Sequence, residues 1–172
     1  MIFPLVTIDA VLWPADATAA MVPATAIPEP YYGLLAHTDH MTVTVEAFYG
    51  QPVDVRVLAA GRDADFYHRR IVLELQRTRR VVQYGAVRLD LRCCTPAVRT
   101  AILEQKTPLG RVLIENDVLR RIEPTAFLRV ESGPTLAADL GLPGPTTLYG
   151  RTGVIFFGDR PAIAVLEILA PT

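Results

Sequence analysis

The sequence predicts an α+β fold: a single, mainly antiparallel sheet with flanking helices. Segments in which apolar and polar residues alternate cluster towards both ends of the chain, and the clearest helix signals lie between them. The chain also finishes on two apolar segments, residues 149–157 and 162–169, joined by a turn segment at residues 158–161. That arrangement is typical of a β-hairpin, and strands grouped apart from helices indicate an α+β architecture.

Length and composition are those of one globular domain covering residues 1–172. The chain is 51% hydrophobic and 20% charged, which is ordinary for a protein with a packed core. Its formal net charge is −1, so the bulk charge favours neither nucleic acid nor an anionic membrane surface as a partner.

The cysteines and the N-terminal sequence predict a cytoplasmic protein. Cys93 and Cys94 are adjacent and are the only cysteines; a disulfide between neighbours is strained, so a reducing compartment is expected. We interpret both as small buried hydrophobic residues before a helix. No Lys or Arg precedes Arg56, and no apolar run reaches the length of a membrane span. Neither a secretory signal nor a membrane partner is therefore expected.

The first half of the chain is predicted to be an irregular arm followed by strands. Residues 1–30 are rich in proline and alanine with little periodicity, which indicates an arm with one short strand at residues 5–8. Residues 31–36 are predicted to form one or two helical turns. Over residues 41–48 apolar and polar side chains alternate, which predicts a half-buried strand. The remaining predicted elements of this half are a turn at 50–52, strands at 53–58, 66–75 and 80–91, a loop at 61–63 and a hairpin connection at 76–79.

The clearest helix signal begins at residue 95. Thr95 is suited to the N-cap and Pro96 to the first helical position, and Val98, Ala101 and Ile102 fall on one face.

The segments after this helix are less uniform. The Pro-Leu-Gly sequence at residues 108–110 interrupts the helix and is predicted to start a short second one. Residues 118–129 fit either a helix broken at Pro124 or a short helix followed by a strand. Residues 135–140 are predicted to form a short helix closed by Gly141.

Histidine and acidic side chains suggest a metal site only weakly. His37, Asp39 and His40 lie within four residues, with His68 as a distant third histidine. A metal site needs three or more ligands on a defined scaffold, and this cluster lies in a polar loop. The pattern favours solvated loop residues, with Asp39 capping a turn, and we predict no metal.

Arg69 is a candidate for binding an anion. On the predicted strand 66–75 it shares a face with Ile71 and Leu73, and a cation on an apolar face is costly unless an anion meets it. The residues alone leave two partners open: a ligand anion or an internal carboxylate such as Glu167.

Glu167, on the last predicted strand, is a second charged residue among apolar neighbours. Its neighbours are apolar, so the strand is predicted to be buried on both faces. A carboxylate in such a setting either stays protonated, with a raised pKa, or is held by a cation. Both states serve catalysis, which makes Glu167 a functional candidate. The alternative is a structural salt bridge to Arg151 or Arg69.

Four segments, taken in order, resemble the chorismate lyase family. They are Asp-His-Met-Thr at 39–42, Arg-Arg-Ile-Val-Leu at 69–73, Lys-Thr-Pro-Leu-Gly-Arg-Val-Leu at 106–113 and Leu-Glu-Ile-Leu-Ala-Pro at 166–171. Chorismate lyases split chorismate into 4-hydroxybenzoate and pyruvate. The resemblance implies a chorismate lyase-like fold, chorismate as the small-molecule substrate, no cofactor and a monomer.

The resemblance also implies roles for individual residues. The arginine that grips the ring carboxylate corresponds to Arg69, and the glutamate that meets the ring hydroxyl, as a candidate general base, corresponds to Glu167. Met41, Leu109 and Gly110 would line the substrate pocket.

Two further positions complete the comparison with the family. Arg151, in a segment that resembles the opening of the family's last hairpin, is a candidate for binding the enolpyruvyl carboxylate. The chain departs from the family on the fourth strand, where Gly85 or Ala86 replaces an arginine.

The same fold also serves as the effector-sensing domain of certain bacterial transcription regulators. The alternative function is therefore a non-catalytic domain that binds or senses an aromatic acid. The stretch before residue 41 is proline-rich and lacks Lys and Arg, so we do not expect it to enter a nucleic-acid groove.

Overall fold

Seven strands of the described chain form one antiparallel sheet, which confirms the predicted fold class. The computed structural model describes residues 12–172. In chain order the strands are β1 (Thr18–Val22), β2 (Val53–Asp63), β3 (Phe66–Leu75), β4 (Val81–Asp90), β5 (Arg120–Glu131), β6 (Thr147–Phe157) and β7 (Arg160–Leu169). Their order across the sheet is β1-β5-β6-β7-β4-β3-β2, with all neighbours antiparallel. The predicted final hairpin, β6–β7, therefore lies in the middle of the sheet.

Short helices flank the sheet. They are α1 (Tyr31–Leu35), α2 (Met41–Tyr49), α3 (Pro96–Leu103), α4 (Leu109–Glu115) and α5 (Pro134–Asp139). The predicted cap of α3 is confirmed, because the Thr95 hydroxyl accepts a hydrogen bond from the Val98 amide at 3.3 Å and Pro96 opens the helix. Within residues 12–172, no helix combines the length and apolarity needed to cross a membrane.

The sheet carries an apolar core on each face. Val72 and Tyr84 pack with α5 on one face, whereas Ile71 and Met41 belong to a core beneath α1 and α2 on the other. A third cluster beneath α3 and α4 continues this second face. Because neighbouring strand residues point to opposite faces, Arg69 lies on the second face with Ile71, as predicted.

Residues 41–49 form a helix, so the predicted strand at 41–48 is wrong. α2 buries Met41 and Val45 and leaves Val43 exposed, a spacing that fits a helix. It ends at Gly50, whose φ of 63° is the left-handed conformation typical of a helix C-terminus. The β-branched Val and Thr residues produced a local alternation, but packing against the sheet decided the conformation.

The first hairpin is longer than the sequence predicts. β2 runs through residues 61–63, which were expected to form a loop, and the turn lies at Ala64 and Asp65. Ala64 has a φ of 47°. The glycine in the predicted loop, Gly61, instead makes room for the His68 ring, whose Nε2 lies 2.5 Å from where a Cβ of residue 61 would be.

Two other segments also differ from the predictions. The helix expected within residues 118–129 is not formed; the segment joins β5, and its pairing with β6 is irregular around Pro124, where proline is tolerated in a strand. The predicted irregular arm contains β1, which pairs with β5. The strand predicted at residues 5–8 lies outside the described residues.

Candidate functional site

A small cavity lies between the sheet and the helices on the face that carries Arg69. Its floor includes Arg69 of β3, Gly85 of β4 and Glu167 of β7. Its roof, as we call it below, consists of residues 40–42 at the start of α2 and 108–110 at the start of α4. Gly85 and Glu167 are paired across the β4–β7 ladder. The fold thus brings the two predicted catalytic side chains, which are far apart in sequence, to one cavity.

Arg69 is a buried cation without an anionic partner in the described part of the chain. The residue is 2% exposed, and its Nε and Nη1 have no hydrogen-bond partner among the described residues. Burial lowers the pKa of the guanidinium, and the nearby Tyr67 hydroxyl partly offsets this effect. Since an unpaired buried charge is strongly unfavourable, the geometry calls for an anion at this position in the cavity.

Glu167 is paired with Arg151 rather than with Arg69. Arg151 Nε donates to Glu167 Oε2 at 2.7 Å, and the glutamate side chain is 15% exposed. The two residues are direct partners in the β6–β7 ladder, which places their side chains side by side. The sequence left open whether this carboxyl is protonated or held by a cation, and the structure pairs it with a cation.

Arg151 hydrogen-bonds both to Glu167 and to the loop, residues 35–39, that precedes the roof. Its Nη1 donates to the backbone oxygens of Leu35 at 2.9 Å and His37 at 2.7 Å, and its Nη2 donates to the Asp39 oxygen at 3.2 Å. Arg151 is 2% exposed and is not part of the cavity lining. It therefore has a structural role that the resemblance does not imply, and its contact with a ligand carboxylate stays a prediction.

The residues expected to line the pocket do lie in the roof. Met41 contributes from the start of α2, rather than from a strand, while Leu109 and Gly110 contribute from α4. A Cβ on Gly110 would lie 3.0 Å from His40 Cβ and 3.1 Å from Thr42 Oγ1. The absence of a side chain at Gly110 therefore lets the two parts of the roof meet.

His40 separates the cavity from an open groove. It lines both, and the groove, of about 790 Å³, continues along residues 120–123 of β5. Arg120 Nε donates to His40 Nε2 at 2.5 Å. The prediction that His40 is a solvated loop residue is wrong, because it is 8% exposed and closes one side of the roof.

The other residues of the histidine cluster are engaged within the loop. His37 Nε2 contacts the Leu34 oxygen at 2.7 Å, and its Nδ1 accepts a hydrogen bond from the Asp39 amide at 3.1 Å. Within residues 12–172, no three His, Cys, Asp or Glu side chains converge as metal ligands would.

Cys93 and Cys94 are half-buried against the core under α3. They were predicted to be buried; their position at the end of a short turn, Leu91–Cys93, leaves them partly accessible. Burial raises the pKa of the Cys94 thiol to about 11. That thiol is therefore protonated at neutral pH and is a poor nucleophile.

Protonation of His40 is expected to destabilise the protein in mild acid. Burial, together with Arg120 and Arg151, lowers the pKa of His40 to about 4 from an ordinary 6.5. The folded state thus binds fewer protons than the unfolded state between these values, so stability is complete above pH 6.5 and falls as the pH drops towards 4. The loss is at most about 3 kcal/mol. Urea unfolding from pH 7.5 to 4.5 should show a steeper loss for the native protein than for His40→Gln, and equal slopes would contradict the prediction.

One polar residue of the cavity was missed by the sequence analysis. Gln83 of β4 is 3% exposed and lines the cavity, and its Oε1 has no hydrogen-bond partner among the described residues. Gln83 could have been found in the same way as Arg69, because Val81 and Val87 on the same face of its strand are apolar. Of the two candidates for the missing arginine, Gly85 lines the cavity and Ala86 belongs to the opposite core.

Comparison with solved structures supports the fold. The effector domain of PhnF from Mycobacterium smegmatis matches with a TM-score of 0.59 at 15% identity, covering 76% of this chain and 88% of that one. The product of SA0254 from Staphylococcus aureus matches with a TM-score of 0.55 at 8% identity, covering 69% and 82%. The ligand-binding domain of a Bordetella bronchiseptica protein assigned to the GntR-family transcriptional regulators matches with a TM-score of 0.53 at 17% identity, covering 69% and 85%. Neither a family model nor a curated protein matches the sequence.

The chain therefore has the chorismate lyase-like fold that the sequence predicts, and it shares this fold with the PhnF effector domain and the Bordetella ligand-binding domain. At these identities the likeness concerns the fold alone. The enzymatic part of the resemblance to chorismate lyases stays a prediction.

Proposed function

We propose that this chain binds a small aromatic monocarboxylic acid in the cavity, with the carboxylate held by Arg69. The observation that carries the proposal is the buried guanidinium whose Nε and Nη1 have no acceptor within residues 12–172. A carboxylate accepts two parallel N–H bonds from one guanidinium, and such bonds are among the strongest in proteins. The rest of the lining is largely apolar, including Val55, Leu73 and Val165, which suits a ring.

The proposal requires the roof to move. The cavity has a volume of about 60 Å³, whereas a cavity that holds benzene has about 150 Å³. The roof is formed by loop-to-helix junctions, whereas the floor belongs to the central strands. A ligand the size of benzoate would therefore enter by displacing the roof, and the groove beside His40 offers the path. Two regulator domains of the same fold are described as an effector domain and a ligand-binding domain, which is consistent with this role.

Calorimetric titration with benzoate and benzamide tests the proposal. The two ligands have nearly the same shape, but only benzoate carries a charge for Arg69. We expect benzoate to bind and benzamide to bind far more weakly. Arg69→Met should weaken benzoate binding by about 2–5 kcal/mol, whereas Arg70→Met, on the opposite face of β3, should not. Equal binding of both ligands, or tight benzoate binding to Arg69→Met, would reject this function.

A second candidate function, chorismate pyruvate-lyase, is favoured by Glu167. Glu167 lines the same cavity as Arg69. Arg151 donates to Oε2, which would leave Oε1 to accept a hydrogen bond from a substrate hydroxyl. In this reaction the ring carbon that bears the hydroxyl would lose its proton while the bond between the neighbouring ring carbon and the ether oxygen breaks. The ring becomes aromatic, and enolpyruvate leaves with the ether oxygen and is protonated on carbon to give pyruvate. Arg69 would orient the ring carboxylate, and Glu167 would hold the hydroxyl or accept the proton.

Incubation with chorismate distinguishes the two functions. An enzyme would release pyruvate and hydroxybenzoate in equal amounts, whereas a binding domain would release neither and still bind 4-hydroxybenzoate. If turnover is found, we expect Glu167→Gln to retain product binding and to lose most of the rate, by about 10²–10⁴-fold. Unchanged turnover in that variant would exclude a proton-transfer role for Glu167.

A further inference from the structure

We propose that Gln83 recognises the end of the ligand opposite its carboxylate. The site would then select carboxylates with a hydroxyl or amino group at that end over those with an apolar group. This inference rests on the proposed function, because it takes the ligand carboxylate to lie at Arg69.

The strand register places Gln83 and Arg69 at opposite ends of the cavity floor. Leu73 pairs with Gln83 and Arg69 pairs with Val87 across the β3–β4 ladder, so Gln83 lies four residues along β4 from the level of Arg69. At about 3.3 Å per residue this is about 13 Å between backbone positions. Both side chains line the cavity and therefore point to the same face.

Gly85, midway between the two ends, leaves room on the floor for the side chains of Ile71 and Gln83. A Cβ at this position would lie 3.0 Å from Ile71 Cδ1 and 3.7 Å from Gln83 Nε2. The Gln83 amide thus extends along the floor towards Gly85, which shortens its separation from the Arg69 guanidinium. A larger residue at position 85 would have to displace the Ile71 side chain.

The unpaired atom, Gln83 Oε1, determines which functional group the ligand must carry. Gln83 Oε1 is a hydrogen-bond acceptor that is buried and has no donor among the described residues. Buried polar atoms are nearly always hydrogen-bonded in native proteins. A hydroxyl or amino group would supply the missing donor. An apolar group would leave the amide oxygen unpaired.

Calorimetry with three para-substituted benzoates tests this inference. The 4-hydroxy and 4-amino compounds carry a donor, and the 4-methyl compound has a similar size without one. For the native protein we expect both donor ligands to bind about 5- to 150-fold more tightly than 4-methylbenzoate. In Gln83→Leu this preference should fall to within about twofold, mainly because 4-methylbenzoate gains affinity. Gln76→Leu, a variant of an exposed glutamine, should keep the native preference.

The outcomes separate this inference from the proposed function. If the three ligands bind equally and their binding depends on Arg69, the role of Gln83 is overturned and the carboxylate site stands. If the preference for a donor survives in Gln83→Leu but is lost in Glu167→Leu, which removes the acceptor, the glutamate rather than Gln83 recognises that end. If none of the three binds the native protein, both proposals are wrong.

Discussion

Arg69→Met is expected to make the ligand-free protein more stable while abolishing carboxylate binding. The guanidinium is removed from water on folding but gains no anionic partner in the part of the chain that the structure describes, and the desolvation of an unpaired ion costs several kcal/mol. Methionine fills much of the same volume without a charge. We expect the free energy of unfolding to rise by about 1–4 kcal/mol, measured as a higher urea midpoint with an unchanged slope.

Arg70→Met is the matched control for this experiment. Arg70 follows Arg69 in β3 but lies on the opposite face, where it interacts with Tyr84 and Asp139. The same substitution there removes a cation that has partners, so stability should not rise. If Arg69→Met were instead the less stable of the two, Arg69 would be a structural cation, and the argument for a ligand anion would fail.

A higher stability of Arg69→Met would also explain why the sequence alone pointed to Arg69 as a binding residue. A charged residue that lowers the stability of the free protein breaks the local pattern of its strand. Such departures are expected at functional sites. Arg69 and Gln83 are both polar residues on strand faces that otherwise carry mainly apolar side chains, and both line the cavity.

The strands were more predictable than the roof for a physical reason. β3 and the β6–β7 hairpin are long segments whose alternation and turns are local properties of the sequence. α2 is nine residues of mostly β-branched and apolar side chains, and its helical form depends on contacts with strands far away in sequence. Helices of this length are marginal without tertiary packing. The roof, which controls access to the cavity, was therefore the part that the sequence described least well.

The partner of Glu167 could not be decided from the sequence for a related reason. Arg69 and Arg151 were both open as partners, and the choice depends on which strand lies next to β7 at residue 167. The ladder brings Arg151 directly opposite Glu167 on β6, while Gly85 of β4 stands between Glu167 and β3. The order of the strands, rather than the chemistry of the side chains, therefore pairs Glu167 with Arg151 and not with Arg69.

Arg151→Met is expected to destabilise the protein by about 3–5 kcal/mol, because it breaks a buried ion pair from one side. The variant leaves the Glu167 carboxylate without its cation. It also leaves the backbone oxygens of Leu35, His37 and Asp39 without the donors that now hold the loop before α2. Since that loop leads into the roof, ligand association should also become faster. Urea unfolding measures the first effect, and stopped-flow binding of 4-hydroxybenzoate measures the second.

Two further variants show whether the buried pair causes the effect. Arg129→Met makes the same change on β5, where Arg129 and Glu131 form an exposed pair at 2.9 Å, and exposed pairs contribute less than about 1 kcal/mol. The double variant Arg151→Met/Glu167→Leu removes both charges, so it should regain part of the stability lost by Arg151→Met, because no carboxylate is left unpaired. If the double variant were less stable than Arg151→Met by the full cost of a separate Glu167→Leu change, the two residues would act independently. The Glu167–Arg151 pair would then not couple the cavity floor energetically to the loop before α2.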